Sequence, residues 1–168
     1  VILGAGIAGH TAALHLRRQL GKNHEVVVVS PNSQWNWIPS NIWVGVGKMD
    51  AAQVTFPLAP VYKKKGISFH QALAQEIHPE GDDSTKSGFV KVTYTEPARN
   101  GESAKIEYDY LVNATGPKLN FAATPGLGPD GHTVSVCTFG HATEAAKSLS
   151  EVIAILKQGR RQALVIGV

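Results

Sequence analysis

Cys137, the single cysteine of this 168-residue chain, is its best candidate for covalent chemistry. A thiolate is a strong nucleophile and an acceptor of sulfur. His132 lies five residues before Cys137 and His141 four residues after it, so either imidazole could assist proton transfer there. The alternative is an inert buried cysteine that packs as a small hydrophobe. No disulfide can form within the sequence, and one cysteine among scattered histidines lacks the paired ligands of a zinc site, so we expect no metal.

The opening residues contain a glycine pattern suited to phosphate groups. Three apolar residues run into Gly4-x-Gly6-x-x-Gly9, and an alanine-rich apolar segment follows. The first glycine permits a sharp turn, the second lets backbone N–H groups approach a pyrophosphate, and the third lets a helix pack close to the strand. The pattern predicts a strand, a tight turn and a helix over residues 7–20, with a dinucleotide at the helix N-terminus. A glycine-rich turn without a ligand is the alternative.

The next predicted strand bears on which nucleotide binds. Residues 26–29 are four valines, which is typical of a strand buried on both faces of a parallel sheet. In NAD-binding proteins an acidic residue usually follows this strand and binds the ribose hydroxyls. Here Ser30 stands at that position, followed by Pro31 and Asn32. Ser30 and Asn32 can still hydrogen-bond a ribose, but the missing acid argues against NAD and favours another nucleotide or a variant flavoprotein.

The middle of the chain, residues 35–108, contains the helices and strands that could position the candidate binding residues. Residues 35–43 hold all three tryptophans, which we expect to form a local core; walling a flat apolar ligand is the alternative. Residues 44–47 are predicted to be a flexible glycine-containing segment, and a helix is predicted to begin near Pro57. Strands are predicted at residues 67–77, 89–95 and 104–108, the second of them antiparallel. These strands form a β-excursion from the parallel sheet.

The last third of the chain combines a small-residue turn with the cysteine. An apolar strand over residues 110–113 runs into Ala114-Thr115-Gly116, where small residues let the backbone pass close to a cofactor. A helix is predicted over residues 143–157 with Thr143 as its cap, so Cys137 would lie shortly before a helix N-terminus, which favours an anion. Residues 163–168 predict a further strand that approaches a second glycine-rich turn. The fold class is therefore α/β, Rossmann-like.

Composition bounds the remaining possibilities. An apolar fraction of 43% is sufficient for a core, and the net charge of +3 is only mildly basic. No basic stripe with interleaved aromatic residues occurs, so we expect no nucleic-acid partner. No run of eighteen apolar residues occurs within the sequence. Both ends look truncated, and we expect the chain to be a fragment of a longer protein.

Three segments, taken with the glycine pattern, resemble one family. They are residues 38–47 (IPSNIWVGVG), 114–121 (ATGPKLNF) and 134–142 (VSVCTFGHA). Together they are similar to the sulfide:quinone oxidoreductase family and the related flavocytochrome sulfide dehydrogenases, within the pyridine nucleotide-disulfide oxidoreductase superfamily. The resemblance implies FAD as the cofactor. It also implies an FAD-binding domain over residues 1–120, and a connection at 121–168 that holds the cysteine and begins a second dinucleotide-binding domain.

The resemblance also implies positions for the cofactor-binding residues. It places five residues at the pyrophosphate: Gly4, Gly6, Ile7, Ala8 and Gly9. The remaining positions are Ser30 and Asn32 near the adenosine ribose, Leu73 and Ala74 near the adenine, Pro39 and Ser40 beside the flavin, and Thr115 and Gly116 along the cofactor.

The resemblance implies that Cys137 is catalytic and carries sulfur together with a cysteine beyond this sequence. The whole enzyme would be an FAD-dependent oxidoreductase that oxidises sulfide to sulfur or polysulfide and passes electrons to quinone; the fragment alone is expected to be inactive. We would expect peripheral association with the inner membrane of a prokaryote, through the missing C-terminal part. The oligomeric state is not predicted. Two alternatives stay open: an NADH-dependent quinone or ferredoxin-type reductase with a structural Cys137, and a non-catalytic flavin-binding module.

Overall fold

The computed structural model describes residues 1–128 and 133–163. The chain divides into two compact units. The first comprises Val1–Trp35 and Phe56–Pro117, and the second comprises Asn36–Thr55 and the described residues from Lys118 onward. These two units are defined by packing. The division that the sequence predicts, into an FAD-binding domain over residues 1–120 and a connection at 121–168, stays a prediction.

A six-stranded sheet forms the centre of the first unit. Its strands in spatial order are β7 (Ser103–Glu107), β6 (Phe89–Tyr94), β5 (Ser68–His78), β2 (Val27–Ser30), β1 (Ile2–Leu3) and β8 (Val112–Asn113). The pairs β5–β2, β2–β1 and β1–β8 are parallel, whereas β5–β6 and β6–β7 are antiparallel. The long strand β5 thus belongs to both parts of the sheet. The predicted α/β Rossmann-like fold with a β-excursion is confirmed.

Two helices of the first unit begin and end where local sequence favours it. Helix α1 (Ile7–Gln19) buries Gly9 and Ala13, and the Arg17 guanidinium donates to the carbonyls of Leu20 and His24, each at 2.8 Å, beyond its C-terminus. Helix α4 (Leu58–Lys65) follows Pro57 and ends at Gly66, whose φ of +66° suits glycine. Both helices contribute to a core that includes Ile2, Val28, Leu58 and Tyr62.

The second unit is mainly helical. It contains a 3-10 turn (Ile38–Ser40), α2 (Asn41–Gly45), α3 (Ala51–Val54), a second 3-10 turn (Phe121–Ala123) and α5 (Phe139–Lys157). Strands β3 (Gln34–Asn36) and β4 (Thr55–Pro57) pair at the sequence positions where the chain passes between the units. Val44, Val54 and Ala142 form the buried core.

The expectation of a flexible segment at residues 44–47 does not hold for its first two residues. Val44 and Gly45 are buried in α2, and a Cβ atom added to Gly45 would lie 2.6 Å from the Val136 side chain. The glycine therefore permits close packing. The expectation of a tryptophan core holds for one residue: Trp35 stacks on Phe56 with ring centroids 4.9 Å apart, whereas Trp37 and Trp43 are 44% and 51% exposed.

No helix among residues 1–128 and 133–163 is long and apolar enough to cross a membrane. Apart from Ala163, the strand predicted at residues 163–168 lies outside the described part of the chain.

Candidate functional site

The parallel strands of the first unit end together at one edge. Strand β1 lies between β2 and β8, with Ile2 opposite both Val28 and Val112. The chain passes from β1 through α1 to β2 on one side, whereas β8, on the other side of β1, follows β7 from the opposite edge of the sheet, so the strand order reverses at β1. In open α/β sheets, ligands bind outside the carboxyl ends of strands at such a point.

The glycines at this edge have different surroundings. Gly4 has a φ of +94°, and a Cβ atom there would overlap the Ala114 carbonyl group. At Gly9 a Cβ atom would overlap the Gly4 carbonyl oxygen. Gly6 is exposed, and a Cβ atom there would meet no atom of the described residues within 4 Å. Gly4 and Gly9 therefore permit close backbone packing, and Gly6 leaves open space in front of α1.

Within the part of the chain that the structure describes, no side chain caps the N-terminus of α1. Gly6 is the N-cap, and the first turn contains no acidic residue. Ile7 and Ala8 are exposed, while the His10 N–H donates to the Gly6 carbonyl at 2.9 Å and closes the first turn. Unpaired N–H groups and the helix dipole favour an anion at such an end. The open space and the unpaired donors fit a pyrophosphate group.

Ser30 and Asn32 lie at the end of β2. Ser30 is buried, and its Oγ accepts a hydrogen bond from the Asn32 N–H at 3.3 Å. Ser30 therefore shapes the turn, while Asn32 is exposed beyond it. The Thr95 hydroxyl lies 2.9 Å from the Pro31 carbonyl oxygen and 3.2 Å from that of Gln71, which links this turn to β5. Sequence reasoning missed Thr95, since a threonine that ends a strand gives no distinct signal.

The other predicted positions of the first unit lie on β5 and after β8. Leu73 is 45% exposed and Ala74 is half-buried, both within β5. Asn113 Oδ1 accepts hydrogen bonds from the Thr115 backbone N–H at 3.2 Å and from its hydroxyl at 2.8 Å. Gly116 follows with a φ of +76°, and none of the residues that the structure describes has an atom within 4 Å of an added Cβ atom. Asn113 therefore fixes the turn at Thr115, a contact that the Asn-x-Thr spacing could have suggested.

Pro39, Ser40 and Cys137 belong to the second unit. Pro39 and Ser40 lie in the 3-10 turn between two hydrogen-bonded asparagines, Asn36 and Asn41. The Cys137 thiol is free and exposed. The backbone N–H of Cys137 donates to Ser135 Oγ at 3.1 Å.

Helix α5 begins four residues earlier than predicted. Thr138 is its N-cap, because the Thr138 hydroxyl oxygen accepts a hydrogen bond from the His141 N–H at 3.1 Å. The prediction of Thr143 as the cap is wrong, since Thr143 lies inside the helix and its hydroxyl donates to the Phe139 carbonyl at 2.9 Å. Cys137 therefore directly precedes the cap of a 19-residue helix.

Of the two histidines near Cys137, the structure describes only His141. His141 lies in the first turn of α5, with its ring 6.2 Å from that of Phe121 between centroids. Its Nδ1 atom is buried and has no hydrogen-bond partner within the described residues. His132 lies outside the described residues. Across residues 1–128 and 133–163, no group of three or more His, Cys, Asp or Glu side chains could hold a metal ion.

Two other histidines are engaged within the first unit. His10 Nδ1 lies 3.1 Å from the Tyr62 hydroxyl, and its ring contacts Trp35 and Phe56. Burial lowers the pKa of His10 and raises the pKa of Tyr62 to about 12. His70 Nδ1 lies 2.7 Å from the Tyr94 hydroxyl, and burial together with the Arg99 charge lowers its pKa. These contacts place His10 and His70 in the packing of the fold.

The predicted residues are thus divided between the two units. The glycine turn, Ser30, Asn32, Thr115 and Gly116 lie at or after the carboxyl ends of strands in the first unit, with Leu73 and Ala74 further along β5. Pro39, Ser40 and Cys137 lie in the second unit. Their contacts with a cofactor or substrate stay predictions.

Comparison with known proteins supports the resemblance. The chain is 33% identical over 155 residues to a sulfide-quinone reductase of Aquifex aeolicus, an alignment that covers 92% of this chain and 32% of that protein. It is 28% identical to the external alternative NAD(P)H-ubiquinone oxidoreductase B3 of Arabidopsis thaliana, over 79% of this chain and 22% of that protein. The chain therefore spans a third or less of the length of these curated relatives.

Solved structures agree in fold. The sulfide:quinone oxidoreductase of Aquifex aeolicus superposes with a TM-score of 0.74 at 31% identity, covering 91% of this chain and 32% of that one. NDH2 of Plasmodium falciparum superposes with a TM-score of 0.69 at 20% identity, over 93% of this chain and 29% of that one, which shows the shared fold alone. Residues 1–167 match the family described as pyridine nucleotide-disulphide oxidoreductase. The chain therefore belongs to the pyridine nucleotide-disulphide oxidoreductase family.

Proposed function

We propose that this chain is the FAD-binding part of a flavoprotein oxidoreductase that oxidises sulfide and passes electrons to quinone. Membership of an FAD-binding family supports the cofactor. The open space at Gly6, and the backbone N–H groups of Ile7 and Ala8 at a helix end that no described side chain caps, support a pyrophosphate at this position. FAD would supply the two-electron redox chemistry, and the protein would supply binding and orientation.

The chain's own residues have distinct parts in this proposal. Backbone donors after Gly6 bind the pyrophosphate, while Ser30 shapes the turn that presents Asn32 to the ribose. Leu73 and Ala74 pack on the adenine, Thr115 and Gly116 line the cofactor, and Pro39 and Ser40 lie beside the flavin. Residues 1–120 would form the FAD-binding domain, and residues 121–168 would lead into a second dinucleotide-binding domain.

One observation favours sulfide as the electron donor: Cys137 is an exposed thiol directly before the N-cap of α5. Cysteine is the side chain that can carry sulfur covalently, and its exposure makes this thiol accessible. The relative at 33% identity is a sulfide-quinone reductase, which points to the same donor. We propose that Cys137 carries sulfur together with a cysteine elsewhere in the whole protein.

The test is sulfide-dependent reduction of a soluble quinone by the full-length protein, with Cys137→Ser and Ser135→Ala assayed beside it. We expect Cys137→Ser to abolish sulfide-dependent turnover while bound flavin is retained. Ser135→Ala removes only the acceptor of the Cys137 N–H, and we expect it to keep most of the activity. Undiminished turnover in Cys137→Ser would contradict the role of Cys137.

A second candidate is an NAD(P)H-dependent quinone reductase in which Cys137 is structural. The specific observation is similarity to several external alternative NAD(P)H-ubiquinone oxidoreductases, at 26% to 29% identity. Rapid reduction of the flavin by NADH but not by sulfide would select this candidate. Flavin reduced by neither donor would select a non-catalytic flavin-binding module.

Quinones dissolve in the lipid bilayer, so the proposed acceptor requires access to a membrane. We propose that the whole protein associates peripherally with the inner membrane of a prokaryote, through segments outside this sequence. Fractionation of cells that produce the full-length protein tests this: recovery with membranes, and release by high salt or alkaline carbonate, is the expected result.

A further inference from the structure

A reciprocal pair of amide hydrogen bonds closes the segment that contains Pro39 and Ser40. Asn36 Nδ2 donates to Asn41 Oδ1 at 2.9 Å, and Asn41 Nδ2 donates to Asn36 Oδ1 at 2.9 Å. Asn36 Nδ2 also lies 3.2 Å from the Val54 carbonyl oxygen. The Asn41 side chain is fully buried and Asn36 is half-buried. We call these two residues the amide clamp.

The amide clamp fixes the backbone of residues 37–40 from both sides. The Trp37 N–H donates to the Val54 carbonyl at 2.8 Å, and the Ser40 N–H donates to the Trp37 carbonyl at 3.0 Å. Meanwhile the side chains of Trp37 and Ile38 are 44% and 49% exposed. The segment therefore has a fixed backbone and presents apolar side chains outward.

Burial alone does not explain an amide at position 41. Nearby Val44 and Val54 provide an apolar core, and an aliphatic side chain would fill a buried position without the cost of desolvating an amide. A reciprocal amide pair adds direction, because both bonds form only when residues 36 and 41 have one relative orientation. The amide clamp therefore selects a single shape for the residues between them.

We infer that Asn36 and Asn41 are positioning residues that hold the Pro39–Ser40 segment in the shape required beside the flavin. This inference rests on the proposed function, which places Pro39 and Ser40 next to that cofactor. The clamp residues act through the segment and do not themselves touch the flavin. Small displacements of the groups around a reacting centre lower the reaction rate, so a rigid Pro39–Ser40 segment would favour flavin reduction.

The substitution Asn41→Asp tests the clamp reversibly. A carboxylate at this position cannot donate to Asn36 Oδ1, so one of the two bonds is lost and two oxygens face each other. A protonated carboxyl group restores the donor and with it the reciprocal pair. Burial raises the pKa of such a carboxyl above its usual value, so the change falls in an accessible pH range.

The measurements are tryptophan fluorescence of the flavin-free protein and the visible absorption spectrum of the flavin-loaded full-length protein, each as a function of pH. For Asn41→Asp we expect both signals to match the wild type at low pH and to depart from it as the carboxyl ionises. Once the carboxyl is ionised, the rate of flavin reduction should be lower by a factor of about ten or more. Asn36→Asp, at a less buried position, is the second variant if Asn41→Asp does not fold.

Asn100→Asp, at an exposed turn position, is the matched control and should follow the wild type at every pH. A pH-dependent change in fluorescence with an unchanged flavin spectrum and reduction rate would overturn the inference, because the clamp would then be merely structural. Wild-type protein that binds flavin but does not react with sulfide would contradict the proposed donor and leave the spectral test of the clamp in force.

Discussion

At the scale of single residues, the glycines of the opening turn have two separable duties. Gly9 permits close packing, since a Cβ atom there would overlap the Gly4 carbonyl oxygen. Gly6 instead leaves open the space where a pyrophosphate would lie. Substitution by alanine should therefore affect FAD binding at Gly6 and the stability of the fold at Gly9.

We predict that Gly6→Ala leaves the fold intact and weakens FAD binding by about tenfold or more, which corresponds to roughly 1.4 kcal/mol. Gly9→Ala should reduce thermal stability, because backbone must move to admit the methyl group. The measurements are FAD titration by fluorescence quenching and thermal unfolding of the flavin-free protein. Gly21→Ala, where an added Cβ atom also meets nothing within 4 Å, is the control. Unchanged FAD affinity in Gly6→Ala would contradict the assigned site.

His10 provides a prediction about pH. Burial lowers its pKa in the folded state, so the unfolded chain binds this proton more readily. Stability is therefore full above the unfolded pKa of about 6.5 and falls as pH decreases through it. His10→Gln should make the decrease in unfolding free energy between pH 7.5 and 5 shallower, as measured by urea denaturation. An unchanged slope in His10→Gln would contradict the assignment.

At the scale of elements, the N-terminus of α5 is the feature that we predicted wrongly from local sequence. Phe139 and Gly140 gave no strong helical signal, and Thr143 is a residue type suited to a cap. The structure shows that Thr138 caps the helix through the His141 N–H. The correction matters because it places Cys137 directly before the helix.

We predict that Thr138→Ala lowers the unfolding free energy by about 1 kcal/mol, since the His141 N–H loses its partner. Thr143→Ala should change it by much less, because Thr143 donates only to a carbonyl inside the helix and alanine favours helix formation. Urea denaturation followed by circular dichroism compares the two, with Thr138→Ser expected to retain wild-type stability. Equal losses from both alanine variants would show that Thr138 is not the cap.

Other elements were predictable because their signals are local. Four consecutive valines gave β2, the glycine spacing gave the β1 to α1 turn, and Pro57 marked the start of α4. The packing of α2 was not predictable, since a glycine-rich segment suggests flexibility until Val136 is known to lie against Gly45. The contact of Thr95 was not predictable because it joins residues distant in sequence. The amide clamp is local, but two asparagines five positions apart do not indicate a mutual hydrogen bond until the turn between them is known.

At the scale of the whole molecule, sequence and structure establish the family and its fold and leave the donor to experiment. The dinucleotide turn, the small-residue turn at Thr115 and the cysteine were all visible in the sequence. The chain spans a third or less of the length of the two curated relatives, so the activity of the whole protein stays a proposal. The donor is therefore the property of the full-length protein that most needs measurement.

The most direct test of the central claim is anaerobic mixing of the flavin-loaded full-length protein with sulfide, followed by absorbance of the oxidised flavin. We expect sulfide to bleach the flavin rapidly in the wild type and not in Cys137→Ser, while dithionite bleaches both. A flavin that sulfide reduces equally fast in both proteins, or that only NADH reduces, would contradict the account.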